Sequence, residues 1–470
     1  MNKSLYKPLK FDSLLHVLLG KVLPTLNDKN IHIDLSTSSD IYFIDKVREL
    51  TALNVKLYRS KPDNNYPQID SASIKVEDGD LSTLTGIGKD IMRRPYSDIA
   101  TLTSKAEFLE RLSSALPLDH AVEVEHDIDK IFDLIKSKKL KVKSLLNKDT
   151  LYKNYEDIYY YLSRHIKISK DNNDVNKNTQ MSSNGCAGHF DYDQAVLSAW
   201  LEYIQRDGFL VHWLNTISPK VIDVTTYLQK EKQDTDLSKI IKDFNKYNIE
   251  YYFVDITSDI NVPNVLCVII SDVRGGRRIH IGAGTGFDAD KAFLSAAIEA
   301  IASATFKYKV EAQSFNIKNY KPFTDKSIDK NKRQDIYYEK DMIKNIDFIF
   351  KSKEKISVED WVSVNGAIKK LDYDIIKLEK DPKYQLQYLK EIFKKRMVTN
   401  PNYNVYVYEY KNKLIKYWDY KVVRVICPEL YSLYLNESYA NPEHPRLKEF
   451  VINKGLESQA KLNIWPHLFP

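Results

Sequence analysis

Three stripes of polar residues recur along this 470-residue chain, starting at 103, 198 and 295. The first reads Thr103-x3-Glu107-x2-Glu110-Arg111. The second reads Ser198-x3-Glu202-x2-Gln205-Arg206, and the third Ser295-x3-Glu299-x2-Ala302-Ser303. Offsets of four, seven and eight put each stripe on one face of a helix. The second and third stripes sit in apolar surroundings, Ala195-Val-Leu-Ser-Ala-Trp-Leu201 and Ala292-Phe-Leu-Ser-Ala-Ala-Ile298, which marks buried helices. A carboxylate on a buried helix must be paired, neutralised or bound to a cation. Carboxylates from repeated elements can converge on one hard cation. Glycine-rich lead-ins precede the stripes: Gly86-Ile87-Gly88, Gly185-Cys186-Ala187-Gly188 and Gly282-Ala283-Gly284-Thr285-Gly286. Read as turns into helix N-termini, they offer backbone N–H groups to phosphate. The composite points to a Mg2+–nucleotide site.

The repeat is longer than the stripe. Phe190-Asp191-x-Asp193-x-Ala195-x-Leu197-Ser198 returns as Phe287-Asp288-x-Asp290-x-Ala292-x-Leu294-Ser295. Strand-like runs, Ile249–Ile256 and Asn404–Tyr410, alternate with these helices. The pattern predicts an α+β fold with pseudo-threefold strand/helix repeats around a nucleotide site. Residues 1–80 form an N-terminal α/β segment, with a helix near 11–22 and a strand at Ile31–Leu35. Residues 81–435 are expected to form the repeat-bearing core and 436–470 a C-terminal tail. Lys167–Met181 and Lys318–Gln334 read as polar loops.

The stripes also carry a family resemblance. Thr103-Ser-Lys-Ala-Glu107-Phe-Leu-Glu110-Arg111 resembles the first signature helix of YcaO proteins. Ser183-Asn184-Gly185-Cys186-Ala187-Gly188 with Ser198-x3-Glu202-x2-Gln205-Arg206-Asp207 resembles the second. Asp255-Ile-Thr257-Ser-Asp259-x3-Pro263 and Arg424-Val-Ile-Cys-Pro428 look like further landmarks, so the likeness runs from about 86 to 430. The resemblance implies ATP and Mg2+ as cofactors, with Glu107, Glu110, Glu202 and Glu299 as metal ligands. Arg111 and Arg206 would neutralise phosphate, and Thr103, Asn184 and Ser198 would give supporting polar contacts. It implies a cyclodehydratase acting on a ribosomally made precursor peptide. A Cys, Ser or Thr side chain attacks the preceding amide, ATP phosphorylates the oxyanion, and loss of phosphate leaves a thiazoline or oxazoline; ATP becomes ADP and phosphate. Thioamide formation is the alternative within the family, and a non-catalytic scaffold the alternative outside catalysis.

The terminus Trp465-Pro466-His467-Leu468-Phe469-Pro470 is similar to the proline-rich ends of azoline-forming members, which makes Pro466 and Pro470 candidate catalytic-site residues. Departures from the pattern are Gln205, where many members carry a second glutamate, and Ala302-Ser303, where a glutamine is expected. The resemblance also implies a separate leader-binding partner, a flavin-dependent dehydrogenase and a homodimer. The leader-binding partner is expected because only about 80 residues precede the core.

Composition narrows the class. Lys and Arg number 70 against 64 Asp and Glu, a net charge of +6, which gives no nucleic-acid signal. The basic run Lys136–Lys143 reads as a solvated face or loop that an acidic leader could use. Cys186, Cys267 and Cys427 form no C-x-x-C pair, so neither a disulfide framework nor a zinc site is suggested and a cytoplasmic enzyme is expected. Cys267 reads as a buried strand residue. Cys186 has no base placed to activate it. The apolar stretch at 14–23 is too short for a membrane span.

Overall fold

A computed structural model describes residues 38–60, 69–77, 85–91, 98–123, 128–160, 183–231, 235–273, 276–308, 320–325, 328, 332–338, 342–364 and 366–469. The expected helix near 11–22, the strand at 31–35 and the loop at 167–181 lie outside these residues. The described strands form three sheets. β1 (Val55–Ser60), β2 (Ile69–Val76) and β3 (Thr85–Ile91) pair antiparallel in sequence order. β4 (Lys139–Ser144), β5 (Thr150–Asn154), β6 (Cys186–His189), β12 (Tyr406–Glu409) and β13 (Lys421–Ile426) form a sheet in the order β5-β4-β12-β13-β6. β7 (Val221–Ile222), β8 (Glu250–Asp255), β9 (Asn264–Val273), β10 (Gly276–Thr285) and β11 (Lys355–Ile356) form the third, in the order β10-β9-β8-β7-β11.

Six helices frame these sheets: α1 (Ser38–Thr51), α2 (Asp98–Ala115), α3 (Tyr192–Leu214), α4 (Ala289–Tyr308), α5 (Pro382–Thr399) and α6 (Pro445–Lys454). The expected repetition is realised physically. Each glycine-bearing lead-in is, or runs into, an edge strand of a different sheet (β3, β6 and β10), and the stripe helix α2, α3 or α4 follows it. Each helix packs on its own strand and on the next repeat's strand: α2 on β3 and β6, α3 on β6 and β10, α4 on β10 and β3. The ring therefore closes on itself.

α3 is the axis of the molecule. Its N-terminal half buries Ala195, Val196, Ala199 and Trp200 against α5 and one face of the β4-containing sheet. Its C-terminal half buries Phe209, Leu210, Trp213 and Leu214 against the β8–β10 sheet. The other face of the β4-containing sheet packs on α2, together with residues of α1 and β1. β2, before residue 80, pairs with β3 after it.

Asp207 on α3 sits in this core with no exposed surface, and so does the Arg446 side chain of α6. The Arg446 guanidinium holds Asp207 at 2.8 Å and Asp259, in the turn after β8, at 2.5 Å. Arg396 of α5 adds a 2.9 Å ion pair to Asp259. Burial would raise the Asp259 carboxyl, but Arg446 and Arg396 outweigh it and hold it far below the usual carboxylate range. Asp207 also accepts the Tyr431 N–H at 2.8 Å, so one carboxylate is satisfied by helix, loop and tail together.

The tail beyond α6 returns to the core. Lys461 and Asn463 donate backbone N–H to the carbonyls of Asn215, which caps the end of α3, and of Leu214, its last residue, at 2.9 and 2.8 Å. Leu468 and Phe469 are buried in the same cluster as Phe209. Arg333 lies in the stretch read as a polar loop, yet it is fully buried. It donates to the carbonyls of Tyr434 and Phe469 and contacts His467, at 2.7, 2.8 and 2.7 Å.

Replacing Arg446 by Met should strand the buried Asp207 carboxylate, leave Asp259 with Arg396 as its remaining cation, and cost about 3–5 kcal/mol of stability, measured by urea unfolding. A loss below about 1 kcal/mol would show that the network does not anchor α6.

Candidate active site

The stripe glutamates meet where the three helices face one another. Glu107 accepts the Ile87 N–H of β3 at 2.9 Å, and Glu299 accepts the Ala283 N–H of β10 at 2.8 Å. These are equivalent bonds in two repeats. Glu110, one turn on, crosses to the next repeat and accepts the Gly188 N–H of β6 at 3.2 Å. Glu202 stands opposite, 3.9 Å from the Arg206 guanidinium. Arg111 pairs with Glu107 at 2.6 Å and donates to the Thr85 carbonyl at 3.2 Å.

These bonds correct the expectation for the glycines. Gly86, Gly188, Gly282 and Gly284 are strand residues, and Gly185 lies in the turn before β6. A Cβ on Gly86 would lie 2.4 Å from the Ser104 carbonyl oxygen. One on Gly282 would lie 2.3 Å from the Ala296 oxygen, and one on Gly284 1.9 Å from the Ala292 oxygen. Glycine is required so that a helix can lie directly on its strand. Two of the N–H groups beside these glycines, at 87 and 283, and that of Gly188 itself go to glutamates. The N-termini of α3 and α4 are capped by the chain itself. Asp191 accepts from the Gln194 N–H at 3.0 Å and Asp288 from the Lys291 N–H at 3.1 Å.

The electrostatics follow from crowding. Burial, then the Glu202 and Glu107 charges, push Glu110 well above the ordinary carboxylate range. Burial drives Glu202 up to about 7; Arg206 opposes this and Glu299 adds to it. Glu202 is surrounded by protein, yet its side chain keeps 29% of its surface exposed. Arg424 of β13 lowers Glu202 from behind the site, donating meanwhile to the Ile158 carbonyl at 3.1 Å. Sequence reasoning placed Arg424 among the landmarks without this role.

Arg206 is the second unbalanced group. Its guanidinium lies 4.0 Å from the centre of the Phe469 ring, and its buried Nε and Nη1 have no hydrogen-bond acceptor. Phe469 thus brings the C-terminal tail to the signature helix. Pro466 is buried and its carbonyl accepts from the Tyr337 hydroxyl, while Pro470 lies outside the described residues.

The supporting residues lie further out. Thr103 and Ser198 are exposed one turn before their glutamates, and Thr103 bonds back to the Ile99 carbonyl at 2.8 Å. Asn184 is buried and donates to Ser432 at 3.1 Å. Gln205 contributes a main-chain carbonyl to Asn264 at 3.2 Å. Ala302 is buried, and Ser303 turns toward His280 at 3.5 Å. Burial pushes the Cys186 thiol up to about 11, which leaves it protonated and unsuited to attack.

The donor set suits a phosphate-bearing ligand with a hard cation. Crowded carboxylates would be relieved by a divalent ion, and the unmatched Arg206 N–H groups by an anion. Among the described residues, no three His, Cys, Asp or Glu side chains close into a metal cage by themselves. Mg2+ is commonly held by one or two carboxylates with phosphate oxygens and water.

Known proteins give the same direction. The family model described as YcaO cyclodehydratase, ATP- and Mg2+-binding, matches residues 140–431. No curated protein sequence matches the chain. A heterocyclase solved in complex with substrate and cofactor is similar in structure, with a TM-score of 0.61 and 15% identity. That match covers 91% of this chain but 57% of the heterocyclase. The YcaO protein of Methanopyrus kandleri, bound with AMPPCP and Mg2+, matches with a TM-score of 0.52 and 12% identity, over 83% of this chain and 90% of that one. The heterocyclase TruD matches with a TM-score of 0.50 and 14% identity, over 78% of this chain and 50% of TruD.

Gly282→Ala should force α4 off β10 and stretch the Glu299–Ala283 bond, at a cost of about 1–3 kcal/mol in urea unfolding. An unchanged midpoint would refute the role given to close packing.

Proposed function

The chain belongs to the YcaO family, and on that premise we propose that it is an ATP- and Mg2+-dependent cyclodehydratase of a ribosomally made precursor peptide. It would convert Cys, Ser or Thr to thiazolines or oxazolines, as part of peptide natural-product biosynthesis. The observation that carries this reading is the convergence of Glu107, Glu110, Glu202 and Glu299 from three equivalent helices, with the Glu202 carboxyl driven up to about 7.

In this reading Glu107, Glu110, Glu202 and Glu299 supply the carboxylates for Mg2+, one or two to an ion, with phosphate oxygens and water completing its shell. Arg206, with two buried N–H groups lacking acceptors, and Arg111, on the same face as Glu107, meet the phosphates. Thr103, Asn184 and Ser198 line the approach. Bound ATP supplies the phosphoryl group that makes an amide oxygen a leaving group. The chain's own part is to fix that group, spread its charge over guanidinium N–H groups and hold the peptide against it. The docking of Phe469 on Arg206 supports a role for the tail, and with it for Pro466 and Pro470, in the reaction. A leader-binding protein, a flavin-dependent dehydrogenase, a homodimer and a cytoplasmic setting belong to the same reading. Among the described residues, no helix is long and apolar enough to cross a membrane.

Glu202→Gln should weaken Mg2+–ATP binding at least about tenfold in calorimetry and abolish loss of water from the peptide by mass spectrometry, with circular dichroism unchanged. Retained ring formation would sink the assignment, and sulfur gain in place of water loss would make the enzyme a thioamide former. Neither activity in the wild type, with no nucleotide bound, would leave a scaffold.

Deleting 466–470 should abolish ring formation and lower nucleotide affinity by less than about tenfold, since Arg206 loses only its ring partner. Full activity without the tail would remove Pro466 and Pro470 from the site.

A further inference from the structure

The hairpin of β4 and β5 carries a feature the site does not use. Its register pairs Lys139 with Asn154, Lys141 with Tyr152 and Lys143 with Thr150. Paired residues share a face, so three lysines lie in a row beside Thr150, Tyr152 and Asn154. All three lysines are exposed, and Tyr152 keeps 59% of its surface exposed. None of them forms an ion pair among the described residues. Val142, between them, points to the opposite face and is buried in the cluster containing α2 residues. The lysine face is continuous with the α3 side of the sheet, because Lys143 pairs with Val407, which is buried with α3.

β5 is the outer strand of its sheet, and no strand pairs with its far side among the described residues. The Ser144 N–H donates to the Asp149 carbonyl at 3.0 Å. Alternation from that bond turns the N–H and C=O of Thr150 and Tyr152 outward. The Asn154 N–H is already taken by Asp157, at 3.2 Å, which ends the open stretch. Lysines often blunt an edge strand against aggregation. Here the row is on β4, one strand in, and lies beside the open edge.

We propose that this edge docks an acidic, extended segment of the peptide substrate by strand addition, with alternate carboxylates facing Lys139, Lys141 and Lys143. The proposal rests on the reading that the chain acts on a peptide. It also sets a distance. β6, whose Gly188 N–H binds Glu110, lies four strand spacings from β5 in the same sheet. A strand added beyond β5 is one spacing further, so at about 4.8 Å per spacing the gap is roughly 24 Å, which takes at least about seven residues of extended chain. The residue being modified therefore lies at least that far along the peptide from the docked segment.

The test is fluorescence anisotropy of the full chain with a labelled alternating Glu–Val peptide about ten residues long. The comparisons are the same peptide N-methylated at alternate amides, and the variant Lys139→Glu/Lys141→Glu/Lys143→Glu. The wild type should bind the plain peptide, more weakly at high salt. Affinity should fall at least about tenfold for the N-methylated peptide and for the triple variant. Absence of binding, equal binding of the N-methylated peptide, or equal binding by the triple variant would each overturn the proposal. Mg2+–ATP affinity, measured in parallel, should be unchanged in the triple variant. Failure of the wild type to bind ATP would strike the cyclodehydratase reading and leave the docking result standing.

Discussion

Crowded negative charge on the inner faces of three helices is the constraint on which the rest of this structure depends. Carboxylates so placed repel one another and lose hydration, which is why Glu110 and Glu202 are held above their ordinary range. The fold offsets part of that cost with backbone N–H groups at Ile87, Gly188 and Ala283. Those bonds require the helices to lie against edge strands, and only glycine at 86, 282 and 284 permits the approach. Glycine, edge strand, helix and glutamate thus form one device in the first and third repeats, and Glu110 ties the second to it.

A second buried charge keeps the device aligned. Arg446 joins Asp207, one residue past Arg206 on α3, to Asp259 in the turn after β8. Such pairs give little net stability over an apolar core but penalise any arrangement that separates them. They fix α6 on α3, and so fix where the tail returns. Arg333 then grips the tail at the Phe469 carbonyl, and Phe469 covers the Arg206 guanidinium. A change in the last residues is thereby felt at Arg206 through two contacts.

Much of this could be read along the chain. The stripes at 103, 198 and 295 became the helices they predict, and the glycine lead-ins fall where each helix begins its repeat. Cys267 is a buried residue of β9, as its apolar run implies. The lead-in glycines misled as to purpose. A glycine preceding a helix reads equally as a phosphate turn or as a close-packing strand, and spacing does not distinguish a free N–H from one that a carboxylate occupies. Arg333 lay in a polar stretch, and its burial depends on a tail 130 or so residues away.

Local sequence determined the helices, their polar faces and the threefold repetition, because periodicity is a property of neighbouring residues. Family membership was legible for the same reason, in motifs of fixed spacing. Which strand each glutamate bonds, that Glu110 crosses to the next repeat, and that Phe469 lies on Arg206 were decided by tertiary structure alone. Those contacts join residues far apart in the chain. Their energies arise from burial and charge crowding, which exist only once the three repeats have closed into a ring.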